Sequence, residues 1–469
     1  MHPASPGAAP GLTDFPLDDT GRRSSTSLGR AVVADALRPI DPAAAAAAER
    51  EPDWRRGYLR HFRALVEAGL SADGSAGYPI AEAGLASVQA RMRYRLRDGE
   101  EFSLAQVLLA EPRHPYDTVE MAGSGKPDRD LSDLVRRLDG WVAAGVVEES
   151  CADAVREVAA NPDWLDLDDF RFALLGAGAE MGPLKALLDW GATVLAIDLP
   201  LAELWERIRA TVAGSAGRVL APSVAEDETP GADLSAALPT IAHWLLGFDG
   251  QLVLGNYGYA PGNAYPRLAA AVDALSVHVR QQRPDTALTV LATPTDVYAV
   301  PAEAVHQARS RYDARTRRAR LTTPLSGGRL LLPNYPVPVS PGINDSLVPQ
   351  QGPNYALAKR IHRWRATLAR RDGLVSFAVA PPTRTRSVLR NRLLKAAYAG
   401  AHLFDVEVFD PAVASRLMAV LMVHQLRKPR AADPAAWRDE TVAAAHGGLW
   451  RAAYHPRTAL PIAAVRGFL

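Results

Sequence analysis

At 469 residues, 48% of them hydrophobic, with a mean hydropathy of −0.08, the chain can bury a large core and reads as one large globular domain with additions, or two domains. Its 53 Lys and Arg against 52 Asp and Glu leave a net charge of +1, which argues against a nucleic-acid partner. A single cysteine, Cys151, excludes a disulfide framework or Cys-rich zinc site; the lack of a membrane-length apolar run or signal-peptide layout predicts a cytoplasmic protein with no membrane partner.

Residues 1–52, rich in Pro, Ala, Gly and Ser, predict a disordered arm that buries nothing, with an Ala43–Ala48 run that has no face to bury. Asp53 is a good N-cap, and Trp54, Tyr58, Phe62, Leu65 and Val66 recur at helical spacing after it. Further helical patches at Leu104–Ala110, Leu131–Ala143 and Cys151–Ala159 define a helical N-terminal region over 53–168, with an irregular middle at Gly123–Pro127. From Phe170 the pattern alternates. Strands are predicted at Phe172–Leu175, Ala192–Ile197, Arg218–Ala221, Gln251–Gly255, Ala287–Ala292 and Leu374–Ala380, with helical segments between them. The fold class expected is α/β: a Rossmann-like doubly wound parallel sheet over 169–430, with a helical N-terminal extension and a long insertion at 305–353 before the active-site helix. A helix over Pro411–Leu426 and a tail at 431–469 packing on the core complete the chain.

The stretch Phe172–Pro200, FALLGAGAEMGPLKALLDWGATVLAIDLP, carries most information. An apolar strand enters a turn with Gly176, Gly178 and Gly182, a helix follows, and a second strand ends on Asp198. Strand, glycine turn, helix, strand and acid form the first half of a dinucleotide-binding unit. Glycines permit a tight turn and close approach to a diphosphate, helix-start amides favour its charge, and a carboxylate 22 residues after Gly176 can accept from a ribose diol. The same carboxylate repels a 2′-phosphate, so NAD(H) is expected over NADP(H).

Tyr355 and Lys359 open a later helix at i, i+4, which puts phenol and ammonium on one face. Only five of the 53 basic residues are lysines, so this one stands out. An adjacent ammonium is expected to lower the phenol's pKa toward a working value.

A glycine turn on the first strand with Tyr-x-x-x-Lys on a later helix resembles the short-chain dehydrogenase/reductase family, over roughly residues 170–425. LGAGAEMGPLKALLDWGATVLAIDL is similar to the family's opening, whose turn reads TGxxxGxG. Laid on it, Gly176 comes first, Glu180 replaces the second glycine and Gly182 is third, with Met181 between them as a cofactor contact. Glu180 would then have to point away from the diphosphate or meet a ribose. The resemblance implies that Asn256, in LVLGNYGYA, lies in the Asn-rich turn after strand four. It makes LVSFAVAPPTRT the sixth strand and its Pro-Gly turn, with Pro382 in place of the glycine and Thr383 or Thr385 on the nicotinamide carboxamide. The family serine is replaced by Thr293, after strand five, or by Ser346 in the insertion.

What the resemblance implies is an NAD(P)-dependent oxidoreductase moving a hydride between nicotinamide and a carbonyl or alcohol carbon. Tyr355 would exchange the proton, and Lys359 would tune it and hold the nicotinamide ribose. The substrate would be a small molecule, free or carrier-bound, and a homo-oligomer is compatible. An epimerase or dehydratase using NAD transiently, or a non-catalytic nucleotide-binding scaffold, are the rivals. No metal is expected, since the 11 histidines show no HExxH-type ligand pair, and His306, His362, His424 and His446 read as surface or packing residues. Six arginines between Arg309 and Arg320 read as a solvated helix, with a phosphate grip as the rival.

Overall fold

A computed structural model describes residues 11–18, 20–70, 74–112, 114–224, 229–337 and 339–468. Twelve strands are found among them: β1 (Gly11–Asp14), β2 (Arg93–Leu96), β3 (Glu101–Ser103), β4 (Asp117–Ala122), β5 (Phe170–Leu175), β6 (Thr193–Ile197), β7 (Arg218–Ser223), β8 (Gln251–Asn256), β9 (Ala287–Ala292), β10 (Val297–Val300), β11 (Gly342–Asp345) and β12 (Val375–Val379). Seven form the central sheet in the order β12-β9-β8-β5-β6-β7-β4. All neighbours in it are parallel except β4, which pairs antiparallel with β7 and covers an edge that would otherwise be open. The six strands read from the sequence are the six parallel ones.

The strands are apolar on both faces because both faces are covered. Successive side chains of a strand point to opposite sides. Ala173, Leu175, Leu252 and Leu254 therefore join one buried cluster, with helices 264–282 and 353–369 and the N-terminal helices. Phe172, Leu174, Val194 and Val253 join the other, with helices 132–143, 149–160, 202–213 and 411–427. The protein is thus mixed α/β, with a mostly parallel sheet between helical layers.

The expected arm at 1–52 is overturned from residue 11 on; residues 1–10 lie outside the described residues. Ser24 caps helix 25–37 and Asp41 caps helix 42–49, each accepting from a backbone amide of the first turn. Leu28, Val32, Val33 and Leu37 of the first helix are fully buried against helices 54–69 and 77–91. Its alanines and valines look like low-complexity sequence only because their partners start 29 and 52 residues further along the chain. Gly84 admits the Trp364 ring, which would collide with any β-carbon there, so helix 77–91 seats directly on helix 353–369.

The region 53–168 also departs from the helical expectation. Asp53 does cap helix 54–69, accepting from Arg56 N at 3.3 Å. β1, β2 and β3, however, make a small antiparallel sheet, and β4 crosses to the main one. The insertion is likewise built rather than loop-like. It begins with helices 302–313 and 317–325, and β11 pairs back on β10. Asn334 and Asn344 both donate to Leu449 O, at 3.0 and 3.1 Å, and Tyr335 donates to Trp450 O at 2.7 Å, tying the insertion to the C-terminal segment. No described helix is long and apolar enough to cross a membrane.

Candidate functional site

The chain leaves the C-terminal end of β5 through Gly176, at φ +85°, a left-handed conformation that glycine adopts without strain. A β-carbon there would stand 2.5 Å from Gly258, so the turns after β5 and β8 touch through two glycines. At the end of β6, Asp198 closes the turn: Oδ2 accepts from Gly178 N at 2.8 Å and Oδ1 from Leu199 N at 2.9 Å. Burial pushes the Asp198 carboxyl up, with those two amides opposing. Gly178 also has no room for a β-carbon, which would meet Leu204 at 2.7 Å.

Glu180 points away from the turn. Its carboxylate takes Arg386 Nε at 2.8 Å and Arg386 N at 2.7 Å, across from the segment after β12. The charge that would oppose a diphosphate is thereby paired. The amides of Glu180 and Met181 make no hydrogen bond among the described residues.

At the end of β9 and the segment after β8, helix 353–369 brings in Lys359, against Leu291 O, and Tyr355, against Tyr259. Gly352, at φ +80°, and Pro353 start the helix. A buried ionic lock then fixes its rotation. Asp296 accepts from Arg360 at 3.1 Å and Arg363 at 2.6 Å, and Arg363 also reaches Glu440 at 2.6 Å. Burial works against the Asp296 charge, but the two guanidinium groups outweigh it and hold the carboxyl low. Because Asp296 lies three residues beyond Thr293, the lock ties the turn after β9 to the Tyr355 helix. The Thr293 hydroxyl pairs with Thr295 Oγ1 at 3.0 Å, and it lies close enough to the Tyr355 phenol to favour its charged form. Tyr298 OH, donating to Thr293 O at 2.5 Å, holds the threonine backbone.

Lys359 has its ammonium 6.0 Å from the Tyr355 ring centre, with Leu291 O at 3.4 Å as its hydrogen-bond acceptor and no carboxylate within ion-pair distance. Burial pulls its pKa down to about 8, with Asp296 opposing. One turn further, His362 Nε2 lies 2.7 Å from Asn256 Nδ2, while Asn256 Oδ1 accepts from Gly258 N at 3.2 Å. Burial first, then the Lys359 charge, lowers the His362 pKa to about 3, which keeps the ring neutral.

Thr293, Tyr355 and Lys359 are brought together, and Asn256 joins them through His362. Ser346 is not. It is buried in the insertion, donating to Asn344 Oδ1 at 2.6 Å, and does not reach Tyr355 or Lys359. Thr383 turns back on Pro381 O at 2.9 Å, and Thr385 pairs with Ser387 at 3.0 Å; both lie in the segment carrying Arg386, but neither side chain is directed into the cluster. The expected lowering of the Tyr355 pKa is reversed: burial pushes the phenol up, and the Thr293 hydroxyl only partly opposes it. Sequence reasoning missed the Asp296–Arg360–Arg363 lock. The only signal for the lock was Arg360 and Arg363 at i, i+3 on the helix that carries Tyr355.

A buried ammonium without a carboxylate costs stability, and its pH dependence follows from the sign of the shift. Burial lowers the Lys359 pKa to about 8 from its ordinary 10.5, so the unfolded chain holds more protons between these values. Stability from this group therefore rises with pH across that window. Lys359→Met should be more stable than the parent at pH 7 by about 1–3 kcal/mol, and the difference should vanish above pH 10.5. Denaturant melts of both proteins at three pH values check it; a destabilised variant at neutral pH would show that the ammonium is well solvated.

Comparison with protein-family models finds none that matches the chain, and comparison with curated proteins finds no match either.

Proposed function

We propose that the protein is an NAD(H)-dependent oxidoreductase of short-chain type, with a Rossmann-like doubly wound sheet. The observation that carries this reading is the convergence of Thr293, Tyr355 and Lys359 at the C-terminal end of β9, with the Tyr355 ring 6.4 Å from that of Tyr259 in the segment after β8. Counted in chain order the parallel strands run 6-5-4-1-2-3, and ligands of such sheets bind where the order reverses, here between β5 and β8.

The residues present fit a dinucleotide. The free amides of Glu180 and Met181 would offer donors to a diphosphate, Asp198, already accepting from Gly178 N and Leu199 N, would meet a ribose diol through its remaining lone pairs, and the ammonium of Lys359 lacks an anionic partner. When bound, the nicotinamide gives or takes the hydride. Tyr355 then gives or takes the proton at the substrate oxygen, and the Thr293 hydroxyl holds that oxygen as charge develops on it. Lys359 supplies positive charge and a ribose contact below them.

Titration of NADH and NADPH into the purified protein tests the reading. NADH should bind more tightly, and Asp198→Ala should weaken it by about 10–100-fold, the worth of hydrogen bonds to a charged group. Tighter NADPH binding would remove the role of Asp198, and failure to bind either would remove the function. Binding with no net change in NADH absorbance on turnover would favour an epimerase or dehydratase instead.

A further inference from the structure

Three stretches, 314–344, 384–404 and 455–468, form one lobe next to the site. Leu331 N donates to Thr458 O at 3.3 Å and His455 N to Leu332 O at 2.9 Å. Gly400 and Gly467 let helices 392–399 and 456–468 pack backbone to backbone, against Ala463 and Ala396. Phe404 and Tyr312 meet the Tyr454 ring, and Arg386 links the lobe to Glu180 in the glycine turn.

The lobe is unlike the rest of the molecule in two ways. Its three stretches hold twelve Arg and Lys and no Asp or Glu, with Asp313, Asp345 and Asp405 at their borders and Asp345 paired with Arg457, in a chain with 53 basic and 52 acidic residues overall. Arg317, Arg318, Arg329, Arg390, Arg392 and Arg466 make no side-chain hydrogen bond or ion pair among the described residues and stand exposed. It also carries nine of the fifteen large hydrophobic side chains exposed among the described residues. Leu321 and Leu325, at i, i+4, are 59% and 84% exposed, and Val465 and Phe468, at i, i+3, are 60% and 61% exposed. Helix 317–325 buries none of its residues. A nine-residue helix gains little from propensity in water, so an apolar phase for its leucines would stabilise it.

We propose that this lobe docks on the surface of an anionic lipid bilayer, with arginines on headgroup phosphates and the exposed leucine, valine and phenylalanine side chains at the acyl boundary. Interleaved arginines and aliphatic side chains on short helices suit that interface. Single-stranded nucleic acid would call for aromatic stacking platforms, and Phe468 is the lobe's one large exposed aromatic. An acidic protein would call for a pocketed hot spot, whereas these side chains are spread over three elements. That no described helix is long enough to cross a membrane bears on spanning it, not on docking at its surface, so the expectation of no membrane partner is set aside by this proposal. The inference goes beyond the proposed oxidoreductase activity and stands without it.

Co-sedimentation of the full chain with vesicles tests it. The protein should pellet with phosphatidylcholine vesicles containing phosphatidylglycerol, stay in solution with phosphatidylcholine alone, and release as salt is raised. Replacing Arg317, Arg318 and Arg320 with Gln should lower the partition coefficient by about a hundredfold. The double variant Leu321→Gln/Leu325→Gln should also lose binding, with unchanged thermal unfolding because neither side chain packs in the core. No pelleting with the anionic vesicles would overturn the proposal. So would binding to heparin or to an acidic protein that matches vesicle binding and is indifferent to the leucine changes.

Discussion

Tyr355→Phe should bind cofactor and unfold like the parent, yet turn over about 10²–10⁴-fold more slowly, the worth of a positioned acid or base. The substitution removes one hydroxyl and leaves the ring against Tyr259 and Tyr265, whose centres lie 6.4 and 5.6 Å away. Packing is therefore preserved while the proton donor is lost. Burial that raises the phenol's pKa keeps it protonated at neutral pH, the form that can donate to a carbonyl oxygen. Carbonyl reduction should accordingly be flat across neutral pH, and alcohol oxidation should climb toward alkaline pH. Stopped-flow single turnovers in each direction separate these steps from product release. A variant that keeps full turnover would end the assignment of Tyr355, whatever nucleotide binds.

Deletion of residues 1–52 should unfold the protein or leave it insoluble. The deletion removes Leu28, Val32, Val33 and Leu37, all buried completely or nearly so. At about 1.5–3 kcal/mol for each such side chain, the loss is about 6–12 kcal/mol. A whole domain is stable by only about 5–15 kcal/mol. It would also uncover helix 77–91, which carries Gly84 against Trp364 on the Tyr355 helix. Soluble yield and thermal unfolding of a chain beginning at Asp53, beside one beginning at Gly11, check this. A truncated chain that melts with the parent would mean that the N-terminal helices rest on the body without supporting it.

The six parallel strands, the glycine turn and the Tyr355 helix were legible in the sequence because each is set by local pattern. Runs such as Leu252–Leu254 are apolar on both faces, and Gly176 needs a conformation that other residues rarely adopt. Spacing alone put Tyr355 and Lys359 on one helical face. Long-range partners decided the rest. The valines and alanines of helix 25–37 are indistinguishable from a flexible arm until helices 54–69 and 77–91 cover them. β4 alternates too weakly to announce itself and exists because the edge of β7 is free. Along the chain Thr293 was the first choice and Ser346 the second. The Asp296 lock separated them by fixing the turn after β9 against the helix, while Asn344 drew Ser346 into the insertion. The environment of Tyr355 was likewise beyond sequence. Spacing gives a lysine beside a phenol, but the sign of the pKa shift is set by how much protein surrounds the oxygen, and here desolvation outweighs every other influence on it.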